Sequence, residues 1–231
     1  MRCFYCENLR EGELSASDFS KNETAHLFKV LRGKTGEKIL IMNGKGSIAN
    51  AEILDKHSIK VTHISNIPEP RRKLHLFMAP PRKQKMDHLL KQCAEIGVWS
   101  VNLLITERGV SQPEKESAFI RMLNHLKEGC KQAHNPFLPA LTPPVNIGTA
   151  INKISEMDNA YFGSTKGDSS DIKSIMEGEQ NIAWFVGPEG GFSEQEEQAM
   201  LNAGIKPLSL GAWIMRIETA AIIGSNRLIV N

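Results

Sequence analysis

The sequence predicts an α/β protein, a mostly parallel sheet with helices on both faces, preceded by a small β-domain. Three observations carry this. From Leu74 onward, compact apolar runs alternate with stretches whose apolar residues recur at helical spacing. Before residue 70 the apolar runs are short, closely spaced and joined by tight turns, which suits a small β-barrel. Between the two, Pro68-Glu69-Pro70 resists both helix and central strand. The boundary is placed there, giving domains 1–70 and 71–231.

Bulk properties narrow the class. At 231 residues, 41% hydrophobic and 23% charged, the chain can bury a sizeable core. No apolar run approaches membrane-spanning length, so no membrane partner is expected. A net charge of +2 does not by itself demand a nucleic-acid partner. Of the four cysteines, Cys3 and Cys6 form a lone C-x-x-C without a second pair at zinc spacing, so no metal is expected. Glu7 interrupts any signal-peptide core, and a cytoplasmic chain with reduced thiols is expected.

The elements follow in order. Ser20-Lys21-Asn22-Glu23 has the capping-box pattern and predicts a short helix through His26–Leu31. Strands are expected at Glu37–Met42, Ser47–Leu54 and Ser58–Ile64, linked by Asn43-Gly44-Lys45-Gly46 and Asp55-Lys56-His57. In the second domain Leu74–Ala79 reads as a strand. Met86, Leu89, Leu90, Cys93 and Ala94 then mark a helix that Gly97 stops. Val101–Thr106 is the next strand, and Phe119, Leu123, Leu126, Cys130 and Ala133 mark the next helix. Pro136, Pro139, Pro143 and Pro144 punctuate a connection. Asn159–Phe162 and Ile182–Gly187 are strands, and Ser193 with Glu196 caps a helix that Gly204 ends. Lys206–Leu210 is a last short strand and Ile217–Val230 a C-terminal helix.

Two segments carry the functional signal. Phe185-Val186-Gly187-Pro188-Glu189-Gly190-Gly191-Phe192-Ser193 and Leu208-Ser209-Leu210-Gly211-Ala212-Trp213-Ile214-Met215-Arg216-Ile217-Glu218-Thr219-Ala220 each read as a strand entering a glycine-bearing loop and then a helix. In open α/β sheets ligands sit outside the carboxyl ends of strands, so two such loops suggest one pocket. Spacing alone leaves Gly187, Gly190 and Gly191 either as a ligand cradle or as a tight turn. Gly163-Ser164-Thr165-Lys166-Gly167 lacks the spacing of a phosphate-binding loop. Arg71, Arg72, Lys73, Arg82, Lys83 and Lys85 cluster in sequence, either as a phosphate-contacting surface or as a solvated one.

Taken together, these motifs resemble the bacterial 16S ribosomal RNA uridine-N3 methyltransferases of the RsmE type. The resemblance extends to His26-Leu27 with Val30-Leu31-Arg32, to Lys91 with Glu95-Ile96-Gly97-Val98, to Thr106-Glu107-Arg108, and to Lys131-Gln132 with Leu138-Pro139. It covers nearly the whole chain, with its blocks in order. It implies a PUA-like β-barrel followed by a SPOUT domain whose C-terminal part is threaded as a trefoil knot, an exception to the rule against knots. It implies S-adenosylmethionine as cofactor, a homodimer, and methyl transfer to N3 of a uridine in 16S rRNA of the small ribosomal subunit. The rival readings are a SPOUT ribose 2′-O methyltransferase and a non-catalytic RNA-binding module.

Residue roles follow from the resemblance. Thr106, Gly187, Pro188, Glu189, Gly190, Gly191, Leu210, Gly211, Ile214, Met215, Thr219 and Ala220 are expected at the cofactor. Arg216, Glu218, Glu189 and Arg108 are the catalytic candidates. A carboxylate could take the imide proton of uracil, whereas a guanidinium stays protonated and could stabilise the anion or hold a phosphate. The alternatives are a loop or helix-terminus role for the carboxylates and ion pairs of the arginines with Glu218 or Glu107. Lys29 and Arg32, from the family motif, and Arg71, Arg72, Arg82, Lys83 and Lys85, from their clustering alone, are expected to bind RNA. The chain departs from the family at Gly109, Asn135, Trp213 and Ile217, where the family usually has Ser, Arg, Arg and Thr. Trp213 could stack on a base or on adenine, but core packing is the expectation.

Overall fold

The computed structural model describes residues 1–30, 34–110, 116–168 and 180–230, and in it the chain divides into two units. The first is Met1–Glu69 with Lys127–Leu138; the second is Pro70–Leu126 with Pro139–Asn231.

The first unit is built on a five-stranded sheet in the order β1-β3-β4-β5-β2. Its strands are β1 (Cys3–Tyr5), β2 (Gly12–Ser15), β3 (Lys38–Met42), β4 (Ser47–Ile53) and β5 (Ser58–Asn66). The β3-β4-β5 meander is antiparallel, while β1 joins β3 in parallel. Alternation sends Ile39, Ile41, Ala49, Ala51, Ile53, Ile59 and Val61 into one core, together with Phe4, Leu14 and Phe19. Strands β1 and β2 escape the sequence reading because three or four residues show no period.

The N-terminal helix differs from expectation. Helix α1 covers only Lys21–Thr24 and continues as a π-helical segment, Ala25–Val30. Ser20 Oγ accepts from Glu23 N (3.2 Å), as a cap should. The carboxylate of Glu23 does not return the bond. Its Oε2 accepts from the Tyr5 backbone N (3.1 Å), and its Oε1 pairs with Lys131 Nζ at 2.6 Å. Both side chains are largely buried, so the pair is a structural staple rather than a surface contact. Lys127 over the Tyr5 ring (4.4 Å) and the Lys45–Phe137 bridge also hold Lys127–Leu138 within this unit. Cys3 and Cys6 are buried thiols, and burial pushes Cys3 up to about 12.

The second unit is a six-stranded sheet in the order β11-β9-β10-β6-β7-β8. Its strands are β6 (Arg72–Met78), β7 (Ser100–Ile105), β8 (Ala140–Asn146), β9 (Asn159–Asp168), β10 (Gln180–Val186) and β11 (Lys206–Leu208). Every pairing among the described residues is parallel. Central strand β10 is buried from Ile182 to Val186, the continuous apolar run a doubly covered parallel strand requires. The expected connection at Pro143-Pro144 is strand β8. Prolines survive there because β8 is an edge strand.

Helices cover both faces. On one, α4 (Ile147–Asn152) and α5 (Glu194–Asn202) pack with Phe77, Phe162, Phe185 and Phe192. Phe77 stacks on Phe185, their ring centroids 4.5 Å apart. On the other, α6 (Ile217–Val230) lies over β6 and β10 and touches α2 (Lys83–Glu95). Helix α3 (Glu116–Ala133) is joined to α2 where Asp87 Oδ1 meets Arg121 Nε (3.2 Å) and His125 Nε2 (3.4 Å). Trp184 of β10 is fully buried and donates from Nε1 to Ala220 O (3.2 Å). Its indole occupies the space above Gly224, where a Cβ would stand 2.6 Å from Trp184 Cζ2. Gly224→Ala is therefore expected to destabilise the protein by about 1–3 kcal/mol through overpacking. Urea unfolding of the variant beside wild type checks this, and an unchanged midpoint would refute the packing account.

Candidate functional site

Parallel pairing puts the carboxyl ends of β9, β10 and β11 on one side of the sheet, and a cavity of about 370 Å³ opens there. Its first wall is Val186–Phe192, the loop after β10; its second is Leu208–Met215 after β11, without Ala212, and the start of α6 adds Ile217 and Ala220. The sequence reading anticipates both. The third wall, Gly163–Lys166 at the end of β9, and Glu197 on α5 carry no such signal in the sequence. Strand order alone brings Gly163–Lys166 into the site, because β9 lies between β10 and β11.

The β10 loop is held from several sides. Gly191 has φ +70°, a left-handed turn that other residues resist. Gly187 is closed down on Phe192, where a Cβ would meet the Phe192 N at 3.1 Å. Beyond the loop the predicted capping box forms. Ser193 Oγ accepts from Glu196 N (3.3 Å), and Glu196 Oε2 accepts from Ser193 N (2.8 Å). Glu196 Oε1 accepts from Glu107 N (2.9 Å), and Arg108 donates to Gly190 O (3.0 Å) and Phe192 O (3.2 Å). The turn after β7 thus grips the glycine loop from behind.

This geometry sorts the candidate residues. Gly187, Pro188, Glu189, Gly190, Gly191, Leu210, Gly211, Ile214, Met215 and Ala220 line the cavity; Thr106 and Thr219 are not on its lining. Thr106 is buried in the turn behind the loop, and a Cβ on Gly109 would meet its Oγ1 at 2.8 Å. Asn135 Oδ1 accepts from Phe137 N (3.0 Å), so this departure serves a local turn. Ile217 is buried at the cavity floor. The expected core packing of Trp213 is overturned: its side chain is 84% exposed at the cavity rim, because the loop after β11 runs outside the sheet.

Charges are redistributed too. Lys85 Nζ pairs with Glu218 Oε1 at 2.9 Å, joining the first turns of α2 and α6. Burial acts to raise the Glu218 carboxyl, but the Lys85 hydrogen bond, the backbone N–H of Glu218 and the charges of Lys85 and Arg216 together hold it below the usual range. Arg216 is exposed and forms no ion pair among the described residues. The basic cluster does not form one surface. Arg71 and Arg72 stand at the amino end of β6, whereas Arg82, Lys83 and Lys85 follow its carboxyl end. A seven-residue strand, roughly 20 Å at about 3.3 Å per residue, separates them. Lys29 lies in the π-helical segment of the first unit, and Arg32 lies outside the described residues.

A family model described as an RNA methyltransferase domain matches residues 68–228, and one described as an RNA methyltransferase PUA domain matches residues 19–62. Among curated relatives, ribosomal RNA small subunit methyltransferase E from Aquifex aeolicus is 28% identical over 96% of this chain and 96% of its own. The protein of the same name from Buchnera aphidicola subsp. Schizaphis graminum is 28% identical over 88% of this chain and 85% of its own. Among solved structures, a Legionella pneumophila protein in complex with the bound cofactor SAM superposes with a TM-score of 0.89 at 26% identity, covering 99% of this chain and 96% of that one. Ribosomal RNA small subunit methyltransferase E from Neisseria gonorrhoeae, bound to S-adenosyl methionine, gives 0.86 at 26% identity, covering 97% and 96%.

The Lys85–Glu218 pair makes a pH-dependent prediction. The folded carboxyl titrates below the 4.5 of an ordinary glutamate, so its stabilisation is complete above that value and is lost as pH falls through the folded pKa. Glu218→Gln should cost up to about 1 kcal/mol at pH 7 and progressively less below pH 4. Denaturant unfolding of both proteins at the two pH values measures the difference, and a cost independent of pH would refute the pairing.

Proposed function

The chain belongs to the RNA methyltransferase family, and on that premise we propose that it methylates N3 of a uridine in the 16S rRNA of the small ribosomal subunit, with S-adenosylmethionine as donor. The observation that carries this reading is the glycine-walled cavity at the ends of β9, β10 and β11. It belongs to a fold that superposes over almost its whole length on two proteins holding that cofactor.

The residues present fit the donor. Leu210, Met215 and Ile217 offer apolar contacts suited to adenine, and the close-set backbone of Gly187–Gly191 suits the ribose and methionine part. When bound, S-adenosylmethionine supplies a methyl group already made electrophilic by its sulfonium, so the protein need provide no covalent nucleophile. What it must provide is position and charge. Arg216, exposed and unpaired among the described residues, is suited to stabilise negative charge on the uracil imide. Glu189, exposed on the cavity lining, is the carboxylate suited to accept the N3 proton. Glu218 is committed to Lys85, and its lowered pKa makes it a poor base; it orients the first turn of α6 instead. Arg108 acts through the loop it grips.

The remaining parts of the reading are a PUA-like RNA-binding first domain, a knotted second domain, a homodimer and a cytoplasmic location. The apolar α6, which leaves Ile223 and Val230 exposed, supports a self-association surface.

Small subunits from a strain lacking this gene, incubated with the full chain and labelled donor and digested to nucleosides, should yield 3-methyluridine. A ribose-methylated nucleoside would replace this reading with 2′-O transfer, and no donor binding by calorimetry would remove the enzyme reading altogether. In the same assay Arg216→Ala should lower kcat at least 100-fold with donor affinity unchanged, and near-normal turnover would take Arg216 out of the mechanism.

A further inference from the structure

We propose that Trp213 is a stacking platform for an unstacked base of the RNA substrate at the mouth of the donor cavity. The inference rests on the methyl-transfer reading above and adds to it a specific contact with the nucleic acid.

Trp213 stands apart from the chain's other tryptophans. Of the three, Trp184 is fully buried and Trp99 carries Lys73 over its ring at 4.8 Å. Trp213 is 84% exposed and contributes to the cavity wall. A partner that covers a large aromatic gains several kcal/mol from its burial. The cavity ligand is a poor candidate for that cover. Small-molecule sites enclose their ligands, and a side chain with this exposure lends them only an edge. The remaining ring face is open to whatever docks against the mouth.

The surroundings favour nucleic acid. Arg216 follows three residues later and is exposed. The Lys85–Glu218 bond draws the first turn of α2, with exposed Arg82 and Lys83, to the first turn of α6, where Arg216 immediately precedes the helix. The acidic groups, Glu189 and Glu197, lie on the cavity lining with Lys166. An aromatic face flanked by cations is the arrangement that binds single-stranded nucleic acid, by stacking on a base while the cations hold phosphates. A base turned out of its helix is also what transfer to a ring nitrogen requires.

The test compares Trp213→Ala, Trp213→Leu and Trp213→Phe in the full chain, with unmethylated small subunits and labelled donor. Trp213→Ala should raise KM for the subunits by about 5- to 150-fold, the range spanned by base–aromatic stacking. Trp213→Phe should restore KM to within about threefold, whereas Trp213→Leu, apolar but without a π-face, should not. Donor affinity by calorimetry and sedimentation of the free protein should match wild type in all three. A KM unchanged in Trp213→Ala, or restored equally by Leu and Phe, overturns the stacking role while leaving the methyl-transfer reading intact. A loss confined to donor affinity assigns the indole to the cofactor, and a shift in sedimentation assigns it to a second copy of the chain; either overturns the proposal. Wild type that transfers no methyl group to the subunits overturns both readings.

Discussion

Trp184 decides where the last helix can lie. Its indole fills the space a Cβ on residue 224 would need and bonds the carbonyl of Ala220, one turn earlier on the same helix. Helix α6 is therefore held on one face of the sheet over its middle strands β10 and β6, while the strand before it, β11, sits at the sheet's edge. The chain between them, 209–216, has to travel back across the carboxyl ends of β9 and β10. That forced path gives the cavity its wall of Leu210, Ile214 and Met215, and it explains why Ala220 touches both the buried indole and the cavity. Core packing and site geometry are one constraint here. Burying a tryptophan contributes several kcal/mol, enough to fix the helix against the pull of a solvated loop.

Much of the second unit was legible because its elements are long and strongly patterned. The continuous apolar run in β10, the capping box of Ser193 and Glu196 and the stop at Gly97 each carry a local physical signal, and each forms where expected. The misses have local reasons as well. Pro143 and Pro144 argue against a strand only when the strand is central, and edge status is a property of the sheet rather than of the residues. Strands β1 and β2 are too short to show a period. Ser20 and Glu23 satisfy the capping pattern in sequence, but Lys131 and the Tyr5 amide outbid the local partner for the carboxylate. A distant cation in a buried setting offers more than a helix terminus in water.

The site was half legible. Glycines after strands mark loops that make a tight turn or allow close backbone approach, and the loops after β10 and β11 suggested one pocket on that ground without deciding between the two. The wall from β9 was not, because Gly163–Lys166 has no motif of its own and reaches the cavity only through strand order. Thr106–Arg108 could be found by motif, but spacing cannot say whether such residues face a ligand or brace the loop that does; hydrogen bonds to Gly190, Phe192 and Glu196 show bracing. Trp213 was misjudged because a tryptophan is a core residue by composition, and only the loop's path exposes it.

Linear proximity misleads most where a strand intervenes. The basic residues between positions 71 and 85 read as one cluster, yet β6 carries them to opposite ends of the sheet. Only the group at the carboxyl end shares a side with the cavity, and there Lys85 is drawn off by Glu218. That pairing has a second effect. With its carboxylate committed to Lys85, Glu218 does not form the ion pair with Arg216 that their nearness in sequence suggests, although the Arg216 charge still helps keep the carboxyl ionised. Lys85 thereby leaves the guanidinium exposed beside a cavity whose lining includes two acidic residues, Glu189 and Glu197. A cationic donor within and an anionic polymer without make opposite electrostatic demands. Two acids beside one cation, Lys166, on the lining, with the exposed Arg216 following the loop that closes it, go some way to meet both.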